Sequence, residues 1–222
     1  MSSTLRRRYR GIVFDLDGTL LDTRAGMIEA INAVLREHKL QPVDAQDLAH
    51  SVHFGLDAML RQALELRGSG ESVEALARQV RQRYLRTASE SVRLFDGARE
   101  LLTALSAERV WLAICSNQSQ ESAMRLLASF GIAGYFDAVA GGDTLERRKP
   151  DPLPLQWLLD RGGLRPNEVL MIGDSDSDVD RRCAEAAGVD VVLMEHGYGL
   201  AEVTEPCARW ANFRAVAGEL VR

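Results

Sequence analysis

Two acidic runs have the residue types and spacing to do chemistry. Asp15-Leu16-Asp17-Gly18-Thr19 sets two carboxylates two positions apart, and Asp174-Ser175-Asp176-Ser177-Asp178 sets three at alternating positions. Carboxylates gathered at one place repel one another and call for a cation. Donors that are all oxygen select a hard ion, Mg2+ or Ca2+, and Mg2+ keeps places for water or a phosphate oxygen. The second run begins like an EF-hand loop, with Glu185 twelfth, but its sixth residue is Val179, where that loop needs glycine to turn. A lone Asp-x-Asp is often only a turn or a helix cap. The two runs together suggest a site.

The elements that must position these residues can be read from hydrophobic texture. Short apolar runs at Gly11–Phe14, Val110–Cys115, Val169–Ile172 and Val189–Leu193 read as buried parallel strands, with a weaker one at Phe136–Ala140. Helical patterns lie between them, over 98–106, 120–130, 155–161 and 178–187. That alternation predicts a doubly wound α/β fold, a Rossmann-like core around a parallel sheet. Asp15 follows the first strand, Ser116 and Asn117 the second, and Gly173 and Asp174 the strand at Val169. Open parallel sheets bind ligands beyond the carboxyl ends of their strands, so these distant residues should meet on one rim.

One stretch breaks the rhythm. Met27, Ile28, Ile31, Val34 and Leu35, then Leu56, Met59, Leu60, Ala63, Leu64 and Leu66, then Val73, Leu76, Val80 and Tyr84 all fall at helical spacing. The expected organisation is an α/β core of residues 1–22 and 95–222 with a small inserted helical cap at 23–94. The net charge of -5 argues against nucleic acid or an anionic membrane as partner, and Arg6-Arg7-Arg8 reads as a solvated flank. Three cysteines without a CxxC pair suggest a reducing, cytoplasmic setting. No apolar run approaches the roughly 18 residues of a membrane span.

Asp15-Leu16-Asp17-Gly18-Thr19-Leu20-Leu21-Asp22 resembles the first motif of the haloacid-dehalogenase-like hydrolases. Ser116-Asn117 resembles the second, Lys149-Pro150-Asp151-Pro152 the third, and Gly173-Asp174-Ser175-Asp176-Ser177-Asp178 the fourth. Phe54-Gly55-Leu56, Phe95-Asp96-Gly97 and His196-Gly197-Tyr198-Gly199 are similar to the phosphoglycolate phosphatase group within that family. The resemblance implies a Mg2+-dependent phosphatase for a small phosphate ester, best matched by 2-phosphoglycolate. Asp15 would be the nucleophile, forming an aspartyl-phosphate. Asp17 would be general acid and then base, and would lend the metal its backbone carbonyl. Ser116 and Lys149 would hold the transferring group, and Lys149 is one of only two lysines in a chain rich in arginine. Gly18, Thr19 and Asn117 would line the phosphate site. Asp174 would bind the metal, and Asp178 would orient a metal-bound water or Lys149.

Gln118 departs from the family pattern, which often carries lysine there. Asp17 favours an alkoxide leaving group over a halide, because only the alkoxide needs an acid. A phosphomutase using the same aspartyl-phosphate is one competing reading, which the cap decides; a non-catalytic binding protein on the same fold is another, and the complete set of Asp15, Asp17, Ser116, Lys149 and Asp174 counts against it. His53, Arg61 and Arg24 are the cap residues placed to meet a substrate carboxylate.

Overall fold

The computed structural model describes residues 9–175, 179–198 and 208–220. The chain begins with β1 (Gly11–Phe14) and β2 (Leu21–Asp22) and enters a helical stretch. This comprises α1 (Arg24–Glu37), a 3-10 turn (Ser51–Phe54), α2 (Leu56–Leu66) and α3 (Val73–Ser91). It returns through β3 (Arg93–Leu94), α4 (Ala98–Ala107), β4 (Trp111–Cys115), α5 (Gln120–Ser129) and β5 (Ala138–Ala140). Then come α6 (Leu153–Gly162), β6 (Val169–Gly173), α7 (Asp180–Ala187), β7 (Asp190–Met194), β8 (Ala208–Trp210) and α8 (Phe213–Leu220).

Six strands form one sheet in the order β5-β4-β1-β6-β7-β8, each neighbouring pair parallel. The expected α/β fold is therefore present. Its strands are apolar because both faces are covered. Ile12 and Phe14 of β1, Leu112 and Ile114 of β4, and Leu170 and Ile172 of β6 point into one cluster. Val13, Ala113, Cys115, Val169 and Met171 point into the other, against Leu155, Leu158 and Leu159 of α6 and Cys183, Ala184 and Ala187 of α7. This is the two-residue period of a strand. Each fully buried leucine, isoleucine or methionine contributes about 1.5–3 kcal/mol.

The helical stretch buries one stripe per helix: Met27, Ala30, Ile31, Val34 and Leu35 of α1, Leu56, Met59, Leu60, Ala63 and Leu64 of α2, and Leu76, Ala77, Val80 and Tyr84 of α3. These side chains run without a break into the sheet's first cluster. The chain leaves the core through β2 and returns through β3, and the two pair antiparallel, Leu21 opposite Leu94 and Asp22 opposite Arg93. Strands of two residues carry no periodicity, so neither was expected from sequence. The short edge strand β8 was also unexpected. None of the helices among the described residues is long and apolar enough to cross a membrane.

Strand order reverses around β1, with β4 on one side and β6 on the other. The crevice at such a switch point, beyond the carboxyl ends, is where a ligand fits.

Candidate active site

The three central strands deliver one polar residue each to that crevice. The Asp15 amide continues the ladder past β1 by donating to Ile172 O at 2.8 Å, and the Ser116 amide continues past β4 by donating to Ala140 O at 2.9 Å. Asp174 follows Gly173, the last residue of β6. Carboxylate oxygens of Asp15, Asp174 and Asp180 all lie within 4.8 Å of one another.

Lys149 reaches into this cluster and is only 2% exposed. Its ammonium donates to Asp15 Oδ1 at 2.5 Å and to Asp180 Oδ1 at 2.6 Å. Asp180 opens α7. Its Oδ2 accepts the Asp174 and Ser175 amides, both at 3.1 Å. A side chain at Gly173 would strike the Asp180 carboxylate, so glycine there admits the aspartate. Asp178, expected to orient Lys149, lies outside the described residues, as does Asp176. Among the described residues Asp180 makes that contact. Sequence reasoning passed over it, although a signal existed. Asp180 shares a helical stripe with Cys183, Ala184 and Ala187, all buried, so its side chain had to face inward.

Burial sets the electrostatics. Loss of water lifts Asp15 from 3.8 to about 7, against the pull of Lys149. Burial, then the charges of Asp15 and Asp180, hold Asp174 well above the ordinary carboxylate range. Burial alone would lower the Lys149 ammonium, but Asp15 and Asp180 more than reverse that and raise it. With all three carboxylates ionised, one ammonium would leave two negative charges, the charge of one divalent cation. Buried oxygen donors with that deficit suit a hard divalent metal.

Asp17 stands apart from the cluster. Its Oδ1 accepts the Gln118 amide at 2.5 Å, and its Oδ2 faces the Ser116 hydroxyl at 3.5 Å. Burial raises it above the ordinary carboxylate range. Gly18 holds φ at +84°, a value that suits glycine. A side chain there would overlap the Asp174 carboxylate. Thr19 is fully buried and its hydroxyl has no hydrogen-bond partner. Asn117 donates to His53 O at 3.0 Å and Lys149 O at 3.1 Å, tying the helical stretch to the crevice.

The cavity so formed is lined below by Asp15, Asp17, Lys149, Asp174 and Asp180 and above by Val52, His53 and Gly55. It is tight, with about 10 Å3 for the centres of water-sized molecules. His53 is therefore among the residues at this cavity. Arg61 is not: it is exposed on α2, near Glu74, and does not line the cavity. Arg24 lies over the Tyr198 ring, 4.8 Å from its centroid. Tyr198 was noted only as part of a family-like run. Its amide donates to Asp174 Oδ2 at 2.6 Å, and its hydroxyl donates to Asp22 Oδ1 at 2.7 Å while accepting the Thr23 amide at 2.7 Å. His196 stacks on Phe95, with ring centroids 3.9 Å apart. This one loop thus touches both crossings into the helical stretch. A larger cavity, about 440 Å3, lies at the amino ends of β1 and β4, far from these residues.

Known proteins resemble this chain in sequence and fold. A phosphoglycolate phosphatase from Rhodospirillum rubrum is 38% identical over 196 residues, 85% of this chain and 80% of that one. A phosphoglycolate phosphatase from Pectobacterium atrosepticum is 35% identical over 200 residues, 88% of this chain and 84% of that one. The crystal structure of a predicted phosphoglycolate phosphatase from Haemophilus somnus superposes with a TM-score of 0.87 at 27% identity, covering 94% of this chain and 96% of that one. The family model for haloacid dehalogenase-like hydrolases matches residues 12–194. The chain belongs to the haloacid dehalogenase-like hydrolase family.

Proposed function

We propose that this chain is a Mg2+-dependent phosphatase that hydrolyses a small phosphomonoester, 2-phosphoglycolate by preference, through an aspartyl-phosphate on Asp15. The observation that carries the reading is the buried chain Asp15–Lys149–Asp180 beside Asp174, with Asp17 held separately by Gln118. In this reading one carboxylate attacks and a second exchanges a proton.

In the first half-reaction Asp15 attacks phosphorus, the phosphorus–oxygen bond to the leaving group breaks, and Asp17 protonates the departing alkoxide. In the second, Asp17 takes a proton from water as that water attacks phosphorus, and phosphate leaves Asp15. Lys149 and the Ser116 hydroxyl stabilise the equatorial oxygens. Asp15, Asp174 and the Asp17 carbonyl would hold Mg2+; Asp180, with both oxygens occupied by Lys149 and the two amides, supports them without touching the ion. When bound, the metal supplies positive charge to the transferring group. Residues 23–94 act as a lid, because a cavity of about 10 Å3 admits an ester only after the helices swing on β2 and β3. His53 then meets the part of the substrate beyond the phosphate. The relatives named phosphoglycolate phosphatase support phosphoglycolate.

A panel of phosphate esters with and without Mg2+ tests the reading. Metal-dependent release of phosphate, fastest from phosphoglycolate among sugar phosphates and pyrophosphate, is expected. A flat response to every ester would overturn it.

A further inference from the structure

The Tyr84 hydroxyl, the Thr23 hydroxyl and the Gln118 carbonyl oxygen are buried together without a close hydrogen-bond partner, yet Tyr84 lies near enough to feel both Gln118 and Thr23, and Asp17 near enough to feel Thr23. All three side chains are at most 3% exposed. A buried polar atom left unpaired costs about 1–3 kcal/mol, so these groups gain by pairing with one another. Their chemistry is complementary. Tyr84 can donate, the Gln118 carbonyl can only accept, and Thr23 can do either.

The three come from different parts of the molecule. Tyr84 is on α3 of the helical stretch, Thr23 sits where β2 passes into α1, and Gln118 follows β4 in the core. The other end of the Gln118 carboxamide is already committed: its nitrogen donates to Asp17 Oδ1 at 2.5 Å. Its backbone amide donates to Ser116 Oγ at 3.1 Å. Oδ1 of Asp17 is held by Gln118 at 2.5 Å, whereas Oδ2 has only the longer 3.5 Å approach of the Ser116 hydroxyl, and Thr23 also bears on the carboxyl.

We propose that Gln118 is a positioning residue for Asp17, and that Tyr84 sets Gln118 so that proton donation requires the helical stretch to be seated on the core. This rests on the phosphatase reading above and deepens it. With the helical stretch seated as it is here, the Tyr84 hydroxyl faces the Gln118 carboxamide; donation to the Gln118 oxygen fixes the carboxamide plane and with it the Asp17 carboxyl, and swinging the helices away removes it. The proton then passes from Asp17 Oδ2 to the leaving oxygen as that oxygen takes the electrons of the breaking bond. Gln118, where relatives often carry lysine, thus relays position instead of binding an anion.

The test uses two esters that differ in their need for an acid: phosphoglycolate, which leaves as an alkoxide, and p-nitrophenyl phosphate, whose phenolate leaves without help. The quantity is kcat/KM, which reports phosphoryl transfer to Asp15, the step at which the leaving groups differ. Tyr84→Phe removes only the hydroxyl and should lower the alkyl-to-aryl ratio of kcat/KM roughly tenfold. Gln118→Ala should lower it roughly 100-fold, within the span of general-acid effects. A loss shared equally by both esters, or no loss on either, would overturn the coupling. A wild-type chain that hydrolyses neither ester would overturn the phosphatase reading, and this proposal with it.

Discussion

Replacing Asp180 by asparagine keeps the shape of the side chain and removes its charge. In the folded chain the carboxylate does two jobs: it accepts the Lys149 ammonium at 2.6 Å and the amides of Asp174 and Ser175 at 3.1 Å. Asparagine has one oxygen, so one side of the group must present an N–H2 to a donor. If the oxygen keeps the amides, two donors face each other at the position of Lys149, which is 2% exposed. Lys149 still has Asp15, so the penalty is less than for a wholly orphaned buried charge, which runs to about 3–5 kcal/mol. Loss of one charged hydrogen bond is worth about 1.5–3 kcal/mol. We expect a destabilisation of about 3 kcal/mol, which lowers Tm by roughly 6–12 °C in a chain of this size. Lys149 would also lose its aim at the transferring phosphoryl group, and kcat should fall roughly 100-fold. Thermal melting and steady-state kinetics with saturating Mg2+ measure both. An Asp180→Asn chain that melts within about 1 °C of wild type and turns over within about twofold would refute the reasoning.

Metal affinity should depend on pH. Burial holds Asp15 at about 7 and Asp174 well above its ordinary value, so a divalent ion must displace protons to bind. Mg2+ binding should tighten as pH rises from about 5.5 to about 8, with proton release seen by calorimetry in buffers of different ionisation heat; pH-independent affinity would contradict this. The same rise, from 3.8 to about 7, corresponds to about 4 kcal/mol. Because the folded value is the higher one, this contribution weakens the metal-free fold as pH rises through that window. It is read as the difference in melting between wild type and Asp15→Asn in chelator, and a difference that shrinks as pH rises contradicts it. Arg61→Ala should leave kcat/KM within about twofold, as a substitution away from the cavity does, whereas His53→Ala should raise KM; an Arg61 effect on KM would return that residue to the substrate.

Much of this was legible because the strands are short and wholly apolar. Ile12, Val13 and Phe14 must be covered on both faces, and only a parallel sheet between helices does that. Once β1, β4 and β6 were found, the meeting of Asp15, Ser116 and Asp174 followed. Asp180 was harder to see because four aspartates alternate from 174 to 180, and the choice among them depends on where a helix starts. Gln118 looked like a lost charge because a side chain's partner 101 positions away leaves no local trace. Arg61 looked like a ligand because its helix was expected over the site. Only the packing of Leu60 and Leu64 inward turns position 61 outward.

The central claim is that Asp15 carries the phosphoryl group. The direct measurement is rapid acid quenching during turnover of a phosphate ester with Mg2+, followed by peptide mass spectrometry, alongside Asp15→Asn. The account predicts a transient phosphoryl group on the peptide containing Asp15, and a folded Asp15→Asn protein with neither label nor turnover. Phosphate release at the wild-type rate from Asp15→Asn, or a phosphoryl group on another residue, would contradict it.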